Sequence, residues 1–218
     1  LTDILFRPYW NVPRSIVVKE ILPVLRTDPR YLQTHEMEVV AGPGDRSPVL
    51  GDGPAAIEQL RRGLARLRQR PGPANSLGRL KFSFPNEHDV YMHDTPARAL
   101  FQRSRRDFSH GCVRVEDAVG LAEWALNDPA WTRERITASM DADVSTRAPV
   151  RRAVRVVLSY STAAVDPVRN TVLFAADIYG HDEALDAALK GRLPAADAAG
   201  VHVDEVRGGI VADAAAPD

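Results

Sequence analysis

The spacing of apolar residues along this chain changes period several times, and each change marks an element. Between Ile16 and Leu25 the spacing fits a period near 3.6, which predicts a short helix limited by Pro23 and Pro29. Before it, PYWNVPRSIVV (8–18) reads as an extended, proline-punctuated start. THEMEVV (34–40) alternates polar and apolar like a strand, and AGPGDRSPVLGDGP (41–54) is turn-rich loop. In AAIEQLRRGLARLRQR (55–70), Ile57, Leu60, Leu64 and Leu67 recur at helical spacing, predicting an amphipathic helix that ends before PGP.

LKFSF (80–84) and VYMHD (90–94) read as two strands joined by the turn PNEHD, with Leu80, Phe82 and Phe84 on one face. DTPARALF predicts a short helix capped by Asp94 or Thr95, with Pro96 in its first turn. EDAVGLAEWALND predicts a longer helix, with Ala118, Leu121, Ala122 and Ala125 along one side. Downstream, two strand-like runs, 148–166 and 170–179, flank DPVRN as in a hairpin. From Gly191 the chain is rich in Ala, Asp and Gly, with little periodicity outside VHVDEV, and a loosely ordered tail is expected over 191–218. The pattern favours a mostly β core with peripheral helices, an α+β class.

Composition narrows the function classes. With 218 residues and 44% hydrophobic content, the chain is long enough for a well-buried core. Its 28 basic and 29 acidic residues nearly cancel, so no overall field favours nucleic acid. The basic run from Arg61 to Arg70 fits the solvated face of its helix. One cysteine forbids an intramolecular disulfide. The chain opens on LTDILFRPYW with no initiator Met, so an export signal or membrane anchor is expected upstream.

That cysteine, Cys112, sits in SHGCVRV (109–115) and raises the question of a nucleophile. A cysteine nucleophile needs a base, a group that orients the base, and donors for the oxyanion. Two histidines precede it, His93 in VYMHD and His110 two residues before the thiol, and either can take the proton. Gly111 lets the backbone bend so that the N–H groups of His110, Gly111 and Cys112 converge as an anion nest. Arg114 can pair with a substrate carboxylate and favour the thiolate. The bland alternative is a buried, inert thiol. A zinc site of Cys112, His110 and His93 is the weaker reading, because structural zinc usually takes four ligands with more cysteines. His35, His88, His181 and His202 read as surface or locally bonded residues.

His93-Asp94-Thr95, a spacer, then Ser109-His110-Gly111-Cys112 resembles the signature of the L,D-transpeptidase (YkuD-type) catalytic domain. PYWNVPRSI, RQRPGPANSLGRLKFSFPN, VYMHDTPARALF, RDFSHGCVRV and DIYGHD are similar to its large Gram-negative, YcbB-like branch, so the resemblance spans roughly residues 5 to 182. It implies a mixed β-sandwich with a catalytic domain over 1–190, a helical lid insertion at about 41–75, and first strands, normally before the PYW segment, that lie upstream of Leu1 or are missing; it implies no metal and no cofactor. It implies Cys112 as nucleophile and His93 as base, oriented by the Asp94 backbone carbonyl. The His110, Gly111 and Cys112 backbone would form the oxyanion hole, with the His110 side chain lining the pocket and Ser109 among the substrate-binding residues. Arg114 would hold a substrate carboxylate or amide, and Tyr91 and Trp10 would wall the pocket. The implied partners are peptidoglycan stem peptides, a tetrapeptide donor and a diaminopimelate acceptor, in the periplasm. Carbapenem β-lactams would be covalent inhibitors. Hydrolysis of the same thioester, as in an L,D-carboxypeptidase, and a non-catalytic wall-binding module are the alternatives.

Overall fold

A computed structural model of the chain describes residues 1–108 and 111–191, which divide between two compact units, Leu1–Arg155 and the chain from Val156 onward. The first unit opens with β1 (Asp3–Phe6), whose Ile4 and Phe6 are fully buried. Arg7, at φ +52°, turns the chain towards β2 (Trp10–Asn11). The helix expected over 16–25 starts earlier, at Arg14, with Pro13 as the extended residue before it at φ −56° and ψ 142°. It runs as α1 (Arg14–Ile16), a π turn over Val17–Ile21, and α2 (Leu22–Val24). A single turn, α3 (Tyr31–Thr34), then leads to β3 (Met37–Val40), so Thr34 lies in helix and only the second half of THEMEVV is strand.

The segment 41–70 departs most from its pattern. The expected loop contains β4 (Val49–Gly51), and the expected long helix is divided. α4 (Pro54–Arg62) stops because Gly63 takes the left-handed φ of +77°. The Gly63 N–H then bonds the Leu60 carbonyl at 3.1 Å and the Leu64 N–H bonds Gln59 at 2.9 Å, the paired bonds of a Schellman stop. The rest becomes β5 (Arg66–Gln69), which pairs with both β2 and β3. Leu67, one of the four residues at helical spacing, is buried from the strand, whereas Leu64 is exposed. Ladder bonds on both edges of β5 outweigh a periodicity that a four-residue strand fits equally well.

β6 (Leu80–Ser83) follows as expected, with Leu80 and Phe82 buried and Phe84 half-buried past its end. Next come β7 (Met92–His93), a 3₁₀ turn over Arg98–Gln102, and β8 (Val113–Arg114). α5 (Ala118–Leu126) is capped by Asp117, whose carboxylate accepts from the Gly120 N–H at 2.9 Å, and it ends on left-handed Asn127. α6 (Arg133–Asp141) and β9 (Thr146–Pro149) complete the unit. Neither stood out in the sequence, and nor did β1.

Two sheets result. In the five-stranded sheet the order is β8-β7-β6-β1-β9, antiparallel except for the parallel β7–β8 pair; the four-stranded sheet is β2-β5-β3-β4. Val12, Ile16, Val17, Leu32, Val39 and Leu60 form the core against the second sheet. Asn75, fully buried, ties the 71–79 loop down: its amide donates to the Pro8 and Arg70 carbonyls at 3.2 and 2.9 Å, and its oxygen accepts from the Leu77 N–H at 2.8 Å.

In the second unit, β10 (Ala163–Asp166) and β11 (Thr171–Phe174) form the expected hairpin around DPVRN, shorter than the runs suggested. α7 (Asp182–Leu189) follows. Residues 192–218, including VHVDEV, lie outside the described residues. The class is α+β and mostly β.

Candidate active site

The site is built on the one parallel pair of the larger sheet. β7 lies between β6 and β8, with Lys81 opposite His93 on one side and Arg114 opposite His93 on the other. The Val113 N–H bonds the Tyr91 carbonyl at 3.0 Å and the Val115 N–H bonds the His93 carbonyl at 2.8 Å, fixing the register. Cys112 directly precedes β8, half-buried, at the junction that leads through 115–117 into α5. Gly111 before it has φ +120°, a conformation that L side chains rarely adopt.

His93 is buried, and its Nδ1 lies 2.5 Å from the Asp94 carbonyl oxygen. That contact makes Nδ1 the donor and leaves Nε2 as the lone-pair nitrogen, free to accept a proton. Burial holds the His93 pKa below its ordinary value, the Arg114 and Lys81 charges push the same way, and the Asp94 carbonyl and carboxylate oppose them. A neutral imidazole is the form a general base needs.

Asp94 is itself held on several sides. Its N–H bonds the Leu80 carbonyl at 2.9 Å, its carboxylate accepts from the Arg79 N–H at 2.9 Å, and Arg98 stands 3.7 Å away. Gly78 packs so closely that a Cβ there would overlap the Asp94 side chain. The carbonyl that orients His93 therefore belongs to a rigid corner. Neither expected cap residue caps the following turn: Thr95 Oγ1 accepts from the Ala97 N–H at 3.1 Å, but the 3₁₀ turn begins at Arg98 with Ala97 at its N-cap position and no side-chain cap bond.

Trp10, Tyr91, His93, Cys112 and Arg114 all line one cleft of about 940 Å³, so the structure brings together every expected site residue of this set. That volume suits a peptide-sized ligand. The Tyr91 phenol is pushed up from its ordinary pKa, first by burial and then by the charge and hydrogen bond of Cys112, while the Trp10 indole opposes. Arg114 sends one guanidinium nitrogen to the Phe108 carbonyl at 3.4 Å, and its buried Nε has no partner among the described residues. A second cavity, about 750 Å³, is lined by Asp94, Thr95, Arg79 and Arg98 but not by Cys112. Ser109 and His110 lie outside the described residues.

Lys81 and Glu20 are cleft residues that the sequence did not single out. The signal for Lys81 was available: it lies between buried Leu80 and Phe82, on the opposite face of β6. Glu20 had none, because a π turn carries it to the cleft. Among the described residues no group of three or more His, Cys, Asp or Glu is placed to hold a metal ion.

An α+β fold that sets a lone cysteine one strand away from a histidine anchored on a backbone carbonyl is the class the geometry defines. In agreement, residues 1–156 match the family model of the L,D-transpeptidase catalytic domain (YkuD). The chain belongs to that family. It is 32% identical over 189 residues to a Haemophilus influenzae protein named "Putative L,D-transpeptidase", an alignment covering 86% of this chain and 37% of that protein.

Proposed function

We propose that this chain carries a peptidoglycan L,D-transpeptidase activity that forms 3-3 cross-links through a Cys112 thioester. The observation that carries the reading is the His93 imidazole, buried, kept neutral and fixed by Asp94, in the same cleft as the lone thiol. His93 takes the thiol proton and the sulfur attacks the carbonyl of the third stem residue, meso-diaminopimelate at its L-centre. The backbone N–H groups about Gly111 and Cys112, with that of His110, hold the oxyanion. As the tetrahedral intermediate collapses, the bond to the terminal D-Ala breaks, and His93 returns its proton to the leaving amine. The side-chain amine of a second stem then attacks the thioester, His93 accepts a proton again, and the sulfur leaves. Arg114 holds a substrate carboxylate or amide, with Tyr91 and Trp10 as walls.

This substrate places the reaction in the periplasm. No described helix is long and apolar enough to cross a membrane. The same sulfur attacks the strained lactam of a carbapenem, opening the ring and keeping the acyl group, and intact mass spectrometry detects that adduct. Wild-type protein is expected to gain one carbapenem mass and Cys112→Ala none; an unmodified wild type overturns the reading. His93→Ala is expected to slow acylation about 10²–10⁴-fold, and His110→Ala to weaken it less. Incubating a tetrapeptide donor with and without an amine acceptor separates cross-linking from hydrolysis by the products formed.

A further inference from the structure

We propose that Lys81 is a positioning residue for the Cys112 sulfur, acting through the face of the Tyr91 ring. The inference rests on Cys112 as nucleophile. The Lys81 ammonium lies 3.9 Å from the Tyr91 ring centroid, within the range of a cation–π contact. The same ring stands beside Cys112: the Val113 N–H bond to the Tyr91 carbonyl at 3.0 Å sets residue 91 next to residue 112 across the parallel pair, and the Cys112 charge helps push the phenol pKa up. The Lys81 ammonium forms no hydrogen bond or ion pair with any described residue, so the ring face is the contact that holds its head group in the cleft. Its backbone register, directly opposite His93, sets its side chain on the histidine's face of the sheet.

Two effects follow from this arrangement. The cation fixes the ring and draws density from it, which strengthens the hydroxyl as a donor to sulfur. The same charge favours a thiolate over a thiol and a neutral over a charged imidazole, the pairing that an attacking sulfur and its base require. Burial lowers the Lys81 pKa; the Cys112 charge opposes it most, ahead of Asp45 and Asp89, while Arg147 adds to the lowering. Arg114 lies on the strand beyond His93, and Arg14, Glu20, Arg66, His88 and Asp89 also line the same cleft.

The test is alkylation of Cys112 by iodoacetamide, in which the sulfur displaces iodide without any peptide substrate. Rates across a pH series are compared for the wild type, Lys81→Met, Lys81→Arg and Tyr91→Phe, with folding checked by circular dichroism. Lys81→Met is expected to react about tenfold more slowly at pH 7, with its curve displaced to higher pH. Lys81→Arg restores most of the rate, since guanidinium also stacks on aromatic rings. In the Tyr91→Phe background the effect of Lys81→Met shrinks. A Lys81→Met curve that superimposes on the wild type overturns the proposal, as does equal loss in Lys81→Met and Lys81→Arg, which marks a packing role. If Lys81→Met does not fold, the arginine variant and the Tyr91→Phe curve decide alone: loss of rate in the former overturns the proposal. Failure of wild-type protein to take up carbapenem while this alkylation pattern holds would instead count against the acyl-transfer reading.

Discussion

His93 shows how one buried side chain ties stability to chemistry. Its pKa in the fold lies below the ordinary histidine value of 6.5, because burial disfavours the imidazolium. Above that value neither the native nor the unfolded imidazole is protonated, and the group adds no pH dependence. Below it the unfolded chain binds a proton that the native state refuses, so stability falls as the pH drops towards the native value. The thermal midpoint is therefore expected to fall on acidification from pH 7 to 5, less steeply in His93→Asn, as calorimetry would record. For the same reason the acid limb of kcat/KM for acyl transfer should lie below pH 6.5. A limb above that value would mean that His93 is not the base.

Among the elements, the α4–β5 junction depends on one glycine. Gly63 has φ +77° and no neighbour closer than 3.8 Å to an added Cβ, so Gly63→Ala tests backbone strain and not crowding. It is expected to cost about 1–2 kcal/mol in denaturant unfolding, with the midpoint shifted and the slope unchanged. The Schellman stop was legible as a glycine inside a periodic run, but four apolar residues at helical spacing masked it, because periodicity over a short window cannot separate a buried strand from a continuing helix. β6, α5 and the hairpin of the second unit were legible because their turn and cap residues agree with their apolar pattern. β1 was not: DILF is four residues long and its strand state depends on β6 and β9, which lie about 80 and 140 positions away in sequence.

At the scale of the molecule, burial among the described residues is confined to one unit. No described residue from 151 to 191 is buried, whereas β1, β6 and both core faces lie within Leu1–Arg155. The N-terminal segment closes on the end of that unit: the Leu1 amine bonds the Val154 carbonyl, and the Val150 N–H bonds the Thr2 carbonyl at 2.8 Å. A chain ended after residue 156 is accordingly expected to fold and to keep its carbapenem adduct, measured by intact mass. Loss of the adduct in such a chain that still melts cooperatively would show that the remainder contributes to the site.

What the sequence determined by itself was the chemistry on offer: one thiol beside a glycine, two histidines upstream of it, and an arginine two residues past the sulfur. These are properties of residue type and short spacing, which survive without knowledge of the fold. Tertiary structure decided which groups meet. The parallel register of β7 and β8 set Arg114 opposite His93, the pairing of β6 with β7 set Lys81 opposite it on the other side, and a π turn carried Glu20 to the cleft. The two pairings join residues on separate strands, and only the strand register fixes them, because a shift of one residue would turn every side chain to the other face.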